Sequence, residues 1–356
     1  MRQVPVATLF AIGVTACSSM QPSNVEPVSE AARPAYQQMF TSDAGERCQG
    51  ARAIAGLRPV EESTIARLVR LLTDDALFEE IDGNGHVWSF TPAECAEHAL
   101  IEIGEPAVAQ VIPLARHSDA IVRMRAVTVL GRSHDPRAVE PMLRAFRDRD
   151  VEVRRAAVLW AGNTDSRFFD AYVRALEDRD SEVRRRAGRA IGAFQDARTI
   201  DVLLRNLASG DADVQTYAAM SLGQRKDPRI TPALVTALRD PNWMVQSYAA
   251  LSLGDLKDPA AVEPLLTLVG ETPENTVRFA FIEALGKIGD GRAYETLISC
   301  LQGENFVTRK QAADALLHLG DPRAADSIRP LLNDPQPVVR DSAQRALAGL
   351  EARKAP

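Results

Sequence analysis

After residue 105 the apolar positions fall into a single pattern that returns about every thirty-one residues, the signature of a repeat architecture. Eight copies open at Val122-Arg123, Val153-Arg154, Val183-Arg184, Val214-Gln215, Val245-Gln246, Val277-Arg278, Thr308-Arg309 and Val339-Arg340. Their spacings are 31, 30, 31, 31, 32, 31 and 31 residues. Within a copy, apolar or small residues stand four, seven and eight positions beyond the opening residue, as in Val245, Ala249, Ser252 and Leu253. That is one face of an α-helix. A glycine follows at the ninth position in six copies, from Gly131 to Gly286, and Asp follows four residues later in most. Pro136, Pro228, Pro259 and Pro322 come directly after the acid. Asp caps free backbone N–H groups, and Pro loses no hydrogen bond at the first helical position. A second apolar helix comes next, as at 138–146. Neither short helix can bury its apolar face alone, so the pattern predicts helix pairs stacked on one another.

The phrase V-R-x-x-A-x-x-A-L-G resembles the HEAT-like repeats of the kind found in phycobilisome lyases, over residues 92–350. The resemblance implies an all-α fold, an α-α superhelix of the HEAT/armadillo-like solenoid type. Cys95 to Gly104 with Glu105-Pro106 read as a degenerate first copy. Residues 41–91 fall outside the period and are expected to form a small N-terminal cap, with an amphipathic helix over 63–72 and a strand–turn–strand around 80–88. Residues 351–356 are a C-terminal tail.

The first residues read as an address. Met1-Arg2-Gln3 is a short positive stretch, Val4 to Val14 is largely apolar, and small residues lead into Cys17. This is the order of a signal peptide, here 1–16. Val14-Thr15-Ala16-Cys17 resembles the lipobox of bacterial lipoproteins, which implies a lipid on Cys17 and a mature chain from that residue. Ser18 after the cysteine resembles lipoproteins sorted to the outer membrane of Gram-negative bacteria. Residues 17–40, with three prolines in 18–34, are expected to be a flexible tether.

Composition narrows the function classes. Of 356 residues, 46% are hydrophobic and 5% aromatic, with 42 basic against 48 acidic side chains. A net charge of −6 disfavours nucleic acid as a partner, since phosphate binding wants a basic surface. Four cysteines are too few for a disulfide framework, although Cys48 and Cys95 are able to pair in an oxidising compartment; two buried thiols remain the alternative. Five histidines lie scattered without ligand spacing, and neither a phosphate loop nor a Gly-x-Ser-x-Gly elbow occurs. No catalytic residue, metal site or cofactor is therefore expected. Deoxyhypusine hydroxylase, another HEAT-like protein, uses paired His-Glu steps for its metals, and no His-Glu dipeptide is present here.

Two sets of residues remain as candidates. Arg123, Arg154, Arg184, Arg278, Arg309 and Arg340 recur at one helical position as a ladder, whose expected role is to brace acids or carbonyls of adjoining units. Arg125, Arg155, Arg185, Arg186 and Arg189 flank it and are expected to form a basic strip. In copies four and five the arginine gives way to Gln215 and Gln246, and tyrosine enters at Tyr217 and Tyr248. By helical phase, the second, third and sixth positions after the opening residue should face away from the stacked core. The HEAT resemblance places this helix on the inner curve. The expected partner site is then a groove, basic at 123–189 and apolar at Tyr217, Met220, Tyr248 and Leu251, with Phe279 beside it; a duplicated unit carrying its tyrosine along is the other reading. Tyr and Arg often anchor protein partners. The expected function is an exported, lipid-anchored scaffold that binds a protein or extended peptide. An accessory, lyase-like subunit presenting a substrate and a binder of anionic envelope polymer are the alternatives.

Overall fold

The computed structural model describes residues 28–81, 84, 86–273 and 276–353. The expected signal peptide and Cys17 lie outside the described residues. Among the described residues the chain is all-α apart from one hairpin, and its contacts divide it into two compact units, Met1–Ala138 and Val139–Pro356. The division falls inside the repeat array.

In the first unit the helices are Arg33–Gln38, Ala44–Ala55, Glu62–Leu71, Pro92–Ile103, Glu105–Val111 and Ala120–Ser133. The tether expected over 17–40 is packed from residue 28 onward. Val28, Ala32, Ala35 and Met39 are buried, and the Ser29 backbone N–H donates to Glu61 Oε1. Four apolar anchors in a dozen residues outweighed the prolines. Local rules set the helix ends. Asp43 accepts from the Glu46 N–H, and Thr91 with Glu94 forms a reciprocal capping box. Ile65, Leu68 and Leu71 form the buried stripe of the expected amphipathic helix. Strands Phe78–Ile81 and Val87–Phe90 pair antiparallel, with Phe78 opposite Phe90 and Ile81 opposite Val87. Arg52 clamps this hairpin through Glu80 and lies 4.8 Å over the Phe90 ring. A disulfide joins Cys48 of helix Ala44–Ala55 to Cys95 of helix Pro92–Ile103, with Cα atoms 5.3 Å apart.

The second unit is a stack of helix pairs. Its first helices are Val151–Trp160, Ser181–Ile191, Ala212–Leu222, Trp243–Leu256, Thr276–Ile288, Phe306–Leu319 and Pro337–Ala352, and each packs on the next. Its second helices run from Val139–Ala145 to Ala324–Ile328. Asp150, Asp180, Asp211, Asn242 and Asn305 cap the first helices by accepting backbone N–H groups of the first turn. Fully buried Phe281, Leu285, Leu297 and Leu316 show where the stabilisation lies, at roughly 1.5–3 kcal/mol for each such side chain.

The recurrent glycine has a steric cause. A Cβ on Gly254 would lie 2.9 Å from the Ala284 Cα, and one on Gly286 2.5 Å from the Ala315 Cα. The glycine is thus the point at which one first helix rests on the backbone of the next. At the equivalent contact one copy earlier, where a Cβ on Gly223 would lie 2.8 Å from the Ser252 Cα, the Ser252 hydroxyl adds a bond by donating to the Ala219 carbonyl at 2.8 Å. Copy two differs. Its first helix stops at Trp160, Ala161 is extended (φ −68°, ψ 131°), and a Cβ on Gly162 would meet only Asp165. The adjoining interior is filled by aromatic rings: Phe146 and Tyr172 meet edge to face at 5.0 Å, and Phe169 and Phe194 at 5.4 Å.

Candidate interaction face

The ladder residues point into the loops between units. In the second unit Arg154, Arg184, Arg309 and Arg340 each donate through Nη1 to the carbonyl six residues back, at 2.7–3.0 Å. Three of them also reach an acid of the following loop. Arg154 Nε donates to Asp178 Oδ2 at 2.8 Å, Arg184 Nε to Asp211 at 2.6 Å, and Arg309 Nε to Asp334 at 2.7 Å. The Arg309 guanidinium holds the Asp334 carboxyl below the usual range. Gln215 and Gln246 keep parts of the same geometry without charge. Gln215 donates to Asp240 Oδ2 at 2.9 Å, and Gln246 to the Asp240 carbonyl at 2.7 Å. Arg278 occupies the same position in helix Thr276–Ile288. In the first unit Arg123 donates to the carbonyls of His117 and Ser118.

A second ladder escaped the sequence reading. Arg198, Arg229 and Arg292 each fold back on the acid two residues earlier and reach a carboxylate of the preceding pair, Asp170, Asp201 and Glu263 respectively. These guanidinium groups hold Asp196, Asp227 and Asp290 down at about 2. The signal was present as Asp-x-Arg at the repeat spacing. From the sequence alone, the Asp stands out there as a helix cap.

The basic strip is broken in two places. Arg125 is only 7% exposed; its Nη1 donates to the Leu72 carbonyl at 2.9 Å and its Nη2 pairs with Asp75 at 2.7 Å. It holds the cap to the first repeat and does not face a partner. Arg155 spends its guanidinium on Asp180, at 3.0 and 2.6 Å, and on Glu152 at 2.7 Å. The helical phase is also corrected at one position, because Thr216 and Ser247, two residues after the opening valine, are buried.

The remaining candidates do come together. A depression of about 490 Å³ lies where the copy-two helix stops short, lined by Leu159, Trp160, Glu182, Arg185, Arg186, Arg189 and Tyr217 among others. Tyr172 forms its floor. The hydroxyl lies within bonding distance of the Val158 and Ala161 carbonyls, and burial pushes the phenol up so that it stays neutral. Arg185 and Arg186 both bond Glu182, while Arg189 is exposed. The Tyr217 side chain packs over the bare backbone of Gly188. Leu159 is 47% and Met220 40% exposed; Tyr248, Leu251 and Phe279 are half-buried on the first helices that follow. The arrangement offers guanidinium donors, an apolar wall and aromatic rings, which suit recognition of a polypeptide.

Other features bear on chemistry. Among the described residues no group of three or more His, Cys, Asp or Glu side chains is placed to hold a metal ion, and no helix is long and apolar enough to cross a membrane. In the first unit, burial on helix Pro92–Ile103 pushes the Glu97 carboxyl up to about 7, against the pull of Arg125. Cys300 is buried outside any disulfide.

Stacked helix pairs with a bracing arginine and a stacking glycine define an α-helical repeat protein. HEAT repeats match residues 93–161, 144–216, 204–286 and 271–348, well over half of the chain, and the protein belongs to that family. No curated protein matches its sequence. Solved structures share the fold at low identity. Kap95p bound to RanGDP is 13% identical, with a TM-score of 0.61 over 90% of this chain and 48% of its own. Kap121p bound to the extreme C-terminus of the phosphatase Cdc14p is 11% identical, with a TM-score of 0.60 over 92% of this chain and 42% of its own. The Escherichia coli protein YibA is 19% identical, with a TM-score of 0.52 over 83% and 98%. The chain thus spans about half the length of the karyopherins it resembles.

Proposed function

We propose that the protein is an exported scaffold, anchored through a lipid on Cys17, that binds a protein or extended peptide along the first helices of copies three to six. This is the concave side if the array curves as HEAT arrays do. The lipobox-like Val14-Thr15-Ala16-Cys17 motivates the anchor, and outer-membrane placement follows from Ser18. The observation that carries the binding role is the depression shared by Arg185, Arg186, Arg189 and Tyr217, continued by Met220 and Tyr248 on the next helices. Repeat arrays suit long partners because they present many modest contacts in a row. The Kap121p complex, in which a HEAT-like chain holds the end of another protein, supports the same reading. The role requires no bond chemistry.

The test is the double variant Tyr217→Ala with Tyr248→Ala. Partner capture from envelope extracts should fall at least tenfold while the thermal unfolding midpoint moves by only a few degrees; unchanged capture rejects the site. The anchor is tested separately, since Cys17→Ser should abolish incorporation of labelled fatty acid.

A further inference from the structure

We propose that the polypeptide bound on this face is acidic at the copy-three end and carries large apolar side chains at about three-residue intervals beyond it, a reading that rests on the binding function proposed above. Charge supplies the first half. The depression holds three guanidinium groups, those of Arg185, Arg186 and Arg189, against the one carboxylate of Glu182. Glu182 takes the Nε and one Nη of Arg185 and the Nε of Arg186. Each guanidinium has five N–H donors, so both retain unused ones, and Arg189 is exposed beside them. Carboxylates fit such forks in bidentate fashion.

The other end of the face is different. The depression there, about 500 Å³, sets Glu283 and Asp314 against Lys310 and Arg345. Lys310 and Arg345 pair with Asp314, and Lys287 pairs with Glu283. Charge is balanced there and attracts neither sign. Of the two depressions, only the one at copy three carries excess positive charge, and this gives the bound segment a direction.

Spacing supplies the second half. Packed helices lie about 8–10 Å apart, and a ligand in the polyproline II conformation advances about 3.1 Å per residue with three residues per turn, so that every third side chain faces the same way. Three residues of ligand therefore span one repeat. Tyr217 and Met220, then Tyr248 and Leu251, then Phe279 stand on three successive first helices, so apolar residues at every third position would meet the two pairs and then Phe279.

Two fluorescein-labelled peptides test this. One has three acidic residues followed by Phe, Leu and Phe at every third position with serine between; the other replaces the acids with lysines. Fluorescence anisotropy should show at least tenfold tighter binding of the acidic peptide at low salt, with the preference shrinking at high ionic strength. Arg186→Glu with Arg189→Glu should reverse the preference, and Arg189→Gln alone, a change at an exposed site, should weaken it. Equal binding of both peptides, binding of neither below millimolar concentration, or an unchanged preference in the double variant would each overturn the proposal. Equal binding that Tyr217→Ala weakens would leave the scaffold function standing, as would loss of partner capture by the double tyrosine variant.

Discussion

Copy two and copies four to six are built on the same sequence phrase and make different contacts. In copies five and six the glycine nine residues into the first helix lies against the backbone of the following helix, at Ala284 and Ala315. In copy two Gly162 stands at the same sequence position, but the helix has already ended at Trp160 and the glycine touches no neighbouring helix. The depression opens there. A repeat signature thus specifies what a residue is able to do, and the neighbouring helix decides whether it does so. Where the stacking contact lapses, the face gains room for another chain.

The contrast is broken most forcefully at the glycines. Gly286→Val would force side-chain atoms into the Ala315 backbone and should cost about 3 kcal/mol or more, whereas Gly162→Val should change stability by about 0.5 kcal/mol or less. Chemical denaturation of the two variants side by side measures the difference; equal losses would mean that both glycines stack.

The bracing ladder sharpens the comparison at the next level. Arg154→Ala removes a paired charge and leaves Asp178 half-buried without it, for an expected loss of about 2–3 kcal/mol. Gln246→Ala removes one neutral hydrogen bond and should cost about 1 kcal/mol. If the two losses are the same, charge at the ladder contributes nothing beyond the bond itself.

Two acids extend the contrast to pH, with opposite signs. Glu97 has its folded pKa raised to about 7, so its favourable contribution is complete below about 4.5 and is lost as pH rises through 7. Glu97→Gln should therefore stabilise the protein at pH 8 by about 2 kcal/mol and change little at pH 4. Asp227 is held at about 2, so its contribution is present above the ordinary carboxylate value and disappears only as pH falls through 2. NMR titration of the two carboxyl groups reads both signs directly. The Asp227 effect on stability should be the smallest of the set, because its Arg229 partner is exposed to solvent.

Much of this was legible in the sequence. The thirty-one-residue period gave the helix pairs, and the caps at Asp258 and Asp290 followed from elementary propensities. The ladder arginines stood at one phase because their carbonyl acceptors lie six residues back, a local relation. What escaped was non-local. Arg125 lies in phase with Tyr217, yet Leu72 and Asp75, about fifty residues earlier, bury it. The early stop at Trp160 left the spacing from Val153 to Gly162 unchanged, so periodicity could not reveal it. Residues 28–40 look like tether by composition, and only the surface provided by the following helices turns them into structure.

The most direct test of the interaction face is photocrosslinking in cells that make the full chain. A benzophenone side chain placed at Met220 on the first helix should yield a polypeptide adduct, while one at the exposed Arg205 on the second helix of the preceding pair should yield none above background. Equal adducts from both positions, or adducts from Arg205 alone, would contradict the account.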